Sequence, residues 1–382
     1  MTRIYLDNAA TTVVRPEVVE TMVPLLAGGY NPSSQHGEGR AARAVLDDAR
    51  ETVARILGAA PREIVFTGGG SEADTLAVVG AARALRAKGR HVVTSAIEHH
   101  AVLHAADLLE AEGWEVTRLP VDARGLVDPA AFAAALRPDT TLASIMLANN
   151  EIGVVEPIAQ LAALARARGV VFHTDAIQAP GRLPLNVDQL GVDLLSLSGH
   201  KFGGPKGAGV LYVRSGTPLE PIVVGGGQEH GLRAGTEDVA GIAGFARALS
   251  LAEAERPETA ARLRTLRDRL ETALVAAIPD VLVNGAGAPR LPGITSLAIA
   301  DAPSDALLIR LDLAGIAASA GSACAAGSLE PSHVAAALGL PERFRTGVIR
   351  FSLGSSTTEA EVESVIARFP ALVADVRIPA HV

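Results

Sequence analysis

The chain contains a single cysteine, Cys324, among its 382 residues. One cysteine excludes an intramolecular disulfide and any zinc or iron–sulfur site that needs several thiolates from one chain. Long apolar runs are also missing: no stretch of about 18 apolar residues occurs, and the N-terminus lacks the charged and apolar regions of a signal peptide. We therefore expect a cytoplasmic protein.

Positive charge and phosphate-loop motifs are scarce as well. Lysine and arginine number 34 against 42 acidic residues, a net charge of −8, so no basic face indicates nucleic acid or anionic lipid as a partner. Neither G-x-x-x-x-G-K-[ST] nor G-x-G-x-x-G occurs, which argues against nucleotide-binding loops. With 48% hydrophobic and 20% charged residues the composition is that of a globular protein.

Short β-type runs alternate with alanine-rich helical stretches, a pattern typical of an α/β protein with a mainly parallel sheet. Seven strands are predicted for this sheet, at 63–66, 90–94, 115–119, 142–146, 170–173, 194–197 and 209–213. The helices predicted between them are 41–57, 72–88, 101–112, 129–136 and 158–168.

A second, smaller α+β unit is predicted after the seven strands. It comprises a long helix at 242–277, strands at 293–297 and 350–353, and helices at 304–314 and 359–376. We expect a large domain over residues 14–250. Residues 1–13 and 251–382 would form the small domain, which carries Cys324.

A lysine stands where a predicted strand meets a loop rich in glycine and proline, Ser198–Gly209. Most lysines are solvated surface charges, but the flanking Ser198 and His200 favour a functional Lys201. A lysine amine forms a Schiff base with an aldehyde cofactor once burial or a neighbouring cation lowers its pKa. Lys201 is therefore a candidate cofactor lysine.

Asp175 follows directly on the predicted strand 170–173. Ligand sites of open α/β sheets lie at such strand ends, although an aspartate there also serves as a helix cap. A pyridoxal cofactor needs an acid beside its pyridinium nitrogen, because the protonated ring then accepts electrons. Asp175 meets that requirement.

Two glycine-rich segments are candidate ligand contacts. Thr67–Asp74 follows a strand and opens a helix, which suits phosphate binding at the helix N-terminus but equally an ordinary capping turn. Gly225–Gly231, with Arg233–Thr236 after it, is either a loop tip or a ligand contact.

Histidines concentrate at one point, where Glu98 and His99 precede His100 and His104. The spacing of His100 and His104 suits two metal ligands on a helix, but no H-E-x-x-H motif or third ligand accompanies them. We favour a non-metal role, with His99 as an aromatic plate or acid/base group against a ring cofactor.

The residues around Cys324, from Ala318 to Ser332, are mostly small, and those from Ala318 to Ser328 include no bulky apolar anchor. A lone cysteine is more often a buried core residue, but a core cysteine normally has such anchors. The composition therefore favours an accessible, nucleophilic thiol.

With these motifs, nearly the whole chain resembles the cysteine desulfurases, pyridoxal-phosphate enzymes of aminotransferase class V. The length of the cysteine segment is similar to that of the nitrogen-fixation and general iron–sulfur-cluster type. The blocks that carry the resemblance are Tyr5–Thr12, Asn31–Ser34, Glu63–Thr67, Glu98–His99, Asn149–Gly153, Asp175–Gln178, Ser198–Lys201, Gly225–Glu229, Arg233–Thr236, Gly321–Cys324 and Ile349–Gly354.

The resemblance implies a fold-type-I homodimer with pyridoxal 5'-phosphate as cofactor. Lys201 would carry the cofactor as a Schiff base, Asp175 would pair with the pyridinium nitrogen, Gln178 would bond the ring hydroxyl and His99 would stack on the ring. The residues implied for phosphate binding are Gly70, Ser71, Ser198, His200 and, from a second subunit, Thr236.

For the reaction, the resemblance implies that Asn150 and Arg350 hold the carboxylate of L-cysteine. Lys201 would move the α-proton, and the Cys324 thiolate would attack the substrate sulfur, leaving a Cys324 persulfide and L-alanine. An acceptor protein of iron–sulfur cluster assembly or tRNA thiolation would then take the sulfur.

Three other functions fit parts of the pattern. A selenocysteine lyase or another β-elimination lyase of the same fold would use Lys201 and Asp175 without depending on Cys324. A metal-dependent hydrolase would be built on His99, His100 and His104. A sulfur carrier without catalysis would bind no cofactor, which the intact lysine block argues against.

Overall fold

The computed structural model describes residues 3–28, 30–321 and 332–377. Its strands in chain order are β1 (Ile4–Tyr5), β2 (Ile64–Thr67), β3 (His91–Ser95), β4 (Glu115–Leu119), β5 (Thr140–Ser144), β6 (Val171–Asp175), β7 (Leu194–Ser198), β8 (Gly209–Val213), β9 (Val281–Val283), β10 (Ile294–Ile299), β11 (Ile316–Ala317) and β12 (Val348–Ser352).

The α-helices of the same residues are α1 (Pro16–Gly28), α2 (Gly37–Leu57), α3 (Gly70–Thr75), α4 (Ala81–Ala84), α5 (His100–Ala111), α6 (Pro129–Ala135), α7 (Ile158–Ala167), α8 (Val187–Leu190), α9 (Val239–Ala277), α10 (Ser304–Leu313), α11 (His333–Ala337), α12 (Glu342–Arg345) and α13 (Glu359–Val376). None of these helices is long and apolar enough to cross a bilayer.

The main sheet has seven strands in the order β2-β8-β7-β6-β5-β3-β4. Only β8 runs against the others, since it pairs antiparallel with both β2 and β7. The prediction of a seven-stranded, mainly parallel sheet is confirmed. Two of its strands, 115–119 and 209–213, have the predicted bounds.

Both faces of this sheet are buried. In β2, Ile64 and Phe66 belong to a core that includes residues of α2 and α7, whereas Val65 belongs to the opposite core with residues of α3 and α5. Successive side chains of a strand point to opposite faces, so a strand covered on both sides is apolar throughout. The uninterrupted apolar run of β2 has this cause.

The carboxyl ends of β2, β3, β5, β6 and β7 meet at one edge of the sheet. These strands are parallel to one another, because β2 and β7 both oppose β8. The segments that follow the strands therefore converge, as expected for the ligand edge of an open α/β sheet.

Two smaller sheets complete the fold. Strands β12, β10 and β9 form an antiparallel sheet, and β1 pairs with β11 in parallel. The long helix α9 contacts α1 and α2 as well as α13, β9 and β10, and so connects the large sheet's helices with the smaller sheet.

The predicted helix 72–88 differs from the structure. Its helical run begins at Gly70, changes to a π-helix over Leu76–Gly80 and ends at Ala84. All five residues of the π-helical stretch are buried, so tertiary packing rather than local propensity accounts for the change.

Candidate active site

A cavity of about 230 Å³ lies at the carboxyl edge of the main sheet. Ten of the twelve predicted site residues line it. They are Gly70, Ser71, His99, Asn150, Asp175, Gln178, Ser198, His200, Lys201 and Arg350. Thr236 lies in a separate cavity with Gly68 and Arg233, and Cys324 falls outside the described residues.

Lys201 ends a single 3₁₀ turn, Gly199–Lys201, directly after β7. Its Nζ donates hydrogen bonds to the carbonyl oxygens of Ala9 and Ala10 at 2.7 and 2.8 Å. The N-terminal segment thus holds the amine at the cavity, although the chain separates it from Lys201 by some 190 residues. No pattern in the sequence indicates this contact.

Asp175 is the last residue of β6 and is 5% exposed. Its Oδ1 accepts a hydrogen bond from the Ile177 amide at 2.9 Å. Burial raises the pKa of Asp175 to about 6, although the Ile177 amide and the charge of Lys201 act in the opposite direction. A buried carboxyl with such a pKa is suited to pair with a cationic ring nitrogen, whose charge would favour ionisation.

Gln178 is held in one orientation by Arg182. The Arg182 guanidinium donates to Oε1 of Gln178 at 2.7 Å, and Nε2 of Gln178 donates to the Ala9 carbonyl at 3.0 Å. An amide nitrogen has two protons, so Nε2 keeps one for a ligand oxygen in the cavity. Arg182 is a site residue that the sequence analysis did not identify.

His99 caps the N-terminus of α5. Its Nδ1 accepts a hydrogen bond from the Ala101 amide at 3.1 Å, which places the proton of the neutral ring on Nε2. Burial, with a further contribution from the charge of Lys201, lowers the pKa of His99 to about 4. The ring is therefore neutral at physiological pH and has a donor at Nε2.

The glycine-rich turn after β2 brings backbone N–H groups to the cavity. Gly70 and Ser71 are the first residues of the helical run, where N–H groups lack partners within the helix. A Cβ at Gly70 would lie 2.3 Å from Cδ1 of Ile177 and 3.2 Å from Cβ of Ser198. A side chain at this position would therefore require the Ile177 side chain to shift and would crowd Ser198.

His200 contacts the N-terminal segment, with Nδ1 3.1 Å from Oγ1 of Thr11. Burial, followed by the charge of Lys201, lowers the pKa of His200 to about 4. A neutral imidazole provides one N–H donor, so His200 would bind an anion by a hydrogen bond rather than by charge.

Arg350 is a fully buried guanidinium in the middle of β12, with 1% of its surface exposed. It donates to the Asn150 carbonyl at 2.8 Å and to Oδ1 of Asp7 at 2.7 Å. Its Nε has no hydrogen-bond partner among the described residues. Nη1 and Nη2 each have a second proton, and a carboxylate is the preferred acceptor for a guanidinium.

The histidine cluster of the structure includes His333, which the predicted cluster did not contain. His100 contacts both His104 and His333, with ring centroids 5.3 and 4.8 Å apart. In the described ranges, no group of three or more histidine, cysteine, aspartate or glutamate side chains has the arrangement of a metal site.

Comparison with known proteins gives the family. The aminotransferase class-V family profile matches residues 4–365. The chain is 49% identical to a cysteine desulfurase IscS of Dictyoglomus turgidum over 94% of this chain and 91% of the relative, and 47% identical to that of Methanosarcina thermophila over 98% and 93%. The chain belongs to the cysteine desulfurases. The predicted resemblance to the cysteine desulfurases is confirmed.

The fold of a cysteine desulfurase is confirmed by structure as well. A solved NifS-like protein superimposes with a TM-score of 0.91 at 35% identity and covers 98% of this chain and 100% of its own. Class-V aminotransferases use pyridoxal phosphate. The cavity fits that group, because it combines a lysine amine, a buried carboxyl and amides at the N-terminus of a helical run.

Proposed function

We propose that this cysteine desulfurase removes sulfur from L-cysteine with pyridoxal 5'-phosphate and transfers the sulfur to its own Cys324. The observation that supports this most strongly is the cavity that Lys201, Asp175 and Arg350 line together. These residues supply a cofactor lysine, an acid for the ring nitrogen and a guanidinium for a carboxylate.

Within one subunit, the cofactor would be held by residues at the ends of four strands, β2, β3, β6 and β7. Lys201 would bind its aldehyde carbon, Asp175 its ring nitrogen, Gln178 its ring hydroxyl, and the neutral ring of His99 would cover its face. The groups proposed for the phosphate are Gly70, Ser71, Ser198, His200 and, from a second subunit, Thr236. When bound, the cofactor accepts electron density from the bonds around the substrate α-carbon.

The substrate carboxylate would bind the Arg350 guanidinium, which lines the cavity with Asn150. Because Arg350 is fixed by Asp7 and by the Asn150 carbonyl, its donor is oriented before substrate arrives. This contact would place the α-carbon near Lys201, whose amine takes and returns the α-proton.

The sulfur step uses the thiolate of Cys324, a residue whose role remains a proposal from sequence. The thiolate attacks the substrate sulfur and forms a new S–S bond, while the substrate C–S bond breaks and its electron pair stays with the substrate carbon. After that carbon gains protons, the products are L-alanine and a Cys324 persulfide. No external oxidant is needed, because the sulfur is transferred rather than released.

We also propose the two-domain division, the homodimer and an acceptor protein for the persulfide sulfur. One apolar core contains residues between Val18 and Leu249, and another contains Ile4, Leu6 and residues from Leu263 onward, which supports boundaries near 14 and 250. Thr236 lies outside the cavity of its own chain, as a residue serving a second subunit would.

The test is product formation by the purified holoenzyme. Wild type should release L-alanine from L-cysteine and show the absorbance of a lysine-bound pyridoxal cofactor, whereas Lys201→Ala should lose both. Lys88→Ala is the control, since the Lys88 side chain donates to the Gly169 carbonyl on the surface. Absence of alanine from cofactor-loaded wild type would contradict the proposal.

A further inference from the structure

Glu151 contacts the described residues on both sides of segment 322–331. It lies in the Asn149–Gly153 turn after β5 and is 2% exposed. Its Oε2 accepts a hydrogen bond from the Ser332 hydroxyl at 2.5 Å. A Cβ on Gly321 would lie 2.5 Å from the same oxygen, so the chain passes directly over the carboxylate there.

These contacts bring the two ends of the segment together. The Cβ position of Gly321 is 3.5 Å from Cβ of Ser332, although ten residues separate the two in sequence. Gly321 has a φ of +107°, which favours glycine, and the carboxylate leaves no space for a side chain. Both backbone and space therefore require glycine beside Glu151.

Further bonds attach both flanks to the active-site elements. On the first flank, the Arg350 amide donates to the Ser319 carbonyl at 2.6 Å, and the Ser319 hydroxyl donates to the Gly321 carbonyl at 3.1 Å. On the second flank, Nε2 of His333 donates to the Glu98 carbonyl at 2.9 Å. The flanks are thus joined to the strand of Arg350 and to the residue before His99.

Glu151 is itself held rigidly. Oδ1 of the buried Asn149 accepts hydrogen bonds from the amides of Glu151 and Ile152 at 2.8 and 3.0 Å. The neighbouring Asn150 carbonyl accepts from Arg350. The Asn149–Gly153 turn therefore contacts Arg350 through Asn150, and it contacts Gly321 and Ser332 through Glu151.

We propose that Glu151 is a positioning residue for sulfur transfer, which acts by holding Gly321 and Ser332 at one point beside the turn of Asn150. Cys324 follows Gly321 by three residues, and an extended chain advances about 3.4 Å per residue, so covalent geometry limits residue 324 to about 10 Å from the point that Glu151 contacts. The inference rests on the proposed function, because it takes Cys324 as the sulfur acceptor.

The test uses Ser332→Ala and Glu151→Met, which remove the donor and the acceptor of the same hydrogen bond. Because Cys324 is the only cysteine, alkylation followed by intact-protein mass spectrometry reports on it alone. Glu156→Met is the matched control: Glu156 is a buried carboxylate in the same region that accepts from the Val127 amide at 3.0 Å.

Each anchor variant of the holoenzyme should alkylate at Cys324 about fivefold faster without substrate and form persulfide about tenfold more slowly, as expected for loss of a charge-assisted hydrogen bond. Binding of L-cysteine, followed by cofactor absorbance, should stay within about twofold of wild type for Ser332→Ala, which leaves the Glu151 charge intact. The double variant should be no worse than either single one, since both remove one contact.

Two results would overturn the inference alone: unchanged alkylation and persulfide rates in both anchor variants, or equal changes in Glu156→Met. Wild type that forms no persulfide would instead overturn the proposed function, and the role of Glu151 in sulfur transfer with it. Because alkylation without substrate measures the anchor directly, the two failures are distinguishable.

Discussion

Oδ1 of Asp7 accepts a hydrogen bond at 2.7 Å from the guanidinium of Arg350, 343 residues further along the chain. The Arg350 side chain is 1% exposed and that of Asp7 20% exposed, so the pair is screened from water. A charge-assisted bond of this kind fixes the direction in which the remaining guanidinium donors point. Asp7 thereby fixes the orientation of the Arg350 guanidinium at the cavity.

Asp7→Asn should raise KM for L-cysteine about tenfold, equivalent to about 1.4 kcal/mol, with kcat within about threefold of wild type. The reason is that a neutral partner holds the guanidinium less firmly while the reacting groups stay in place. Steady-state alanine formation measures both constants. Asp312→Asn, which alters an exposed ion pair with Arg3, should change neither. A KM equal to that of wild type would contradict the role of Asp7.

Arg182→Lys should weaken cofactor binding about tenfold, because the shorter lysine side chain has no planar guanidinium to bring a nitrogen to the position of Nη1, which bonds both the carbonyl oxygen and Oε1 of Gln178. Equilibrium binding of pyridoxal phosphate to the apo-protein measures this loss. Arg166→Lys is the control, since the Arg166 guanidinium donates to the Gly191 carbonyl at the surface. Equal affinities in the two variants would show that Gln178 needs no support from Arg182.

Gly70→Ala should lower the free energy of unfolding by about 1 kcal/mol and weaken cofactor binding, because its Cβ would displace Cδ1 of Ile177 at the cavity and lie 3.2 Å from Cβ of Ser198. Gly37→Ala is the matched control, because Gly37 is also the first residue of a helix. A Cβ at Gly37 would have its nearest neighbour, Nη2 of Arg40, 3.9 Å away. That variant should unfold at or slightly above the wild-type denaturant concentration. Equal stability of the two would remove the packing argument for Gly70.

The pKa of Asp175, raised by burial to about 6, predicts how cofactor affinity changes with pH. Above pH 6 the carboxyl is charged and can pair with the ring nitrogen, whereas below pH 6 it is protonated and that pairing is lost. The advantage of wild type over Asp175→Asn should therefore be large at pH 8 and small at pH 5.

Cofactor binding to both apo-proteins across this range checks the prediction. The ratio of the two dissociation constants isolates Asp175 from titration of the cofactor phosphate, which affects both proteins alike. A ratio that does not change with pH would show that Asp175 does not supply the charge.

The sequence predicted those parts of the site that follow directly on strands. Asp175 and Lys201 were identifiable because a polar residue after an apolar run marks a strand end, and parallel strands bring such ends together. Contacts between distant segments had no such signal. The bonds of Asp7 to Arg350, of Lys201 to the Ala9 carbonyl and of Ser332 to Glu151 depend on tertiary packing.

The secondary-structure elements also differ in how much local signal the sequence contains. Strand β4 was predicted with its bounds, because the β-branched Val116 and Thr117 and the apolar Leu119 lie between Gly113 and Pro120. Short elements such as β1, β11 and α8 were missed, since two to four residues carry too little periodicity to be recognised. The role of Cys324 remains a prediction from its composition and family resemblance.

The central claim is that sulfur passes from L-cysteine to Cys324. Intact-protein mass spectrometry of the holoenzyme after addition of L-cysteine without reductant tests this most directly, with Cys324→Ser as the comparison. We expect a persulfide sulfur adduct on wild type and none on Cys324→Ser. Alanine formation at equal rates in both proteins, with no adduct on either, would contradict it.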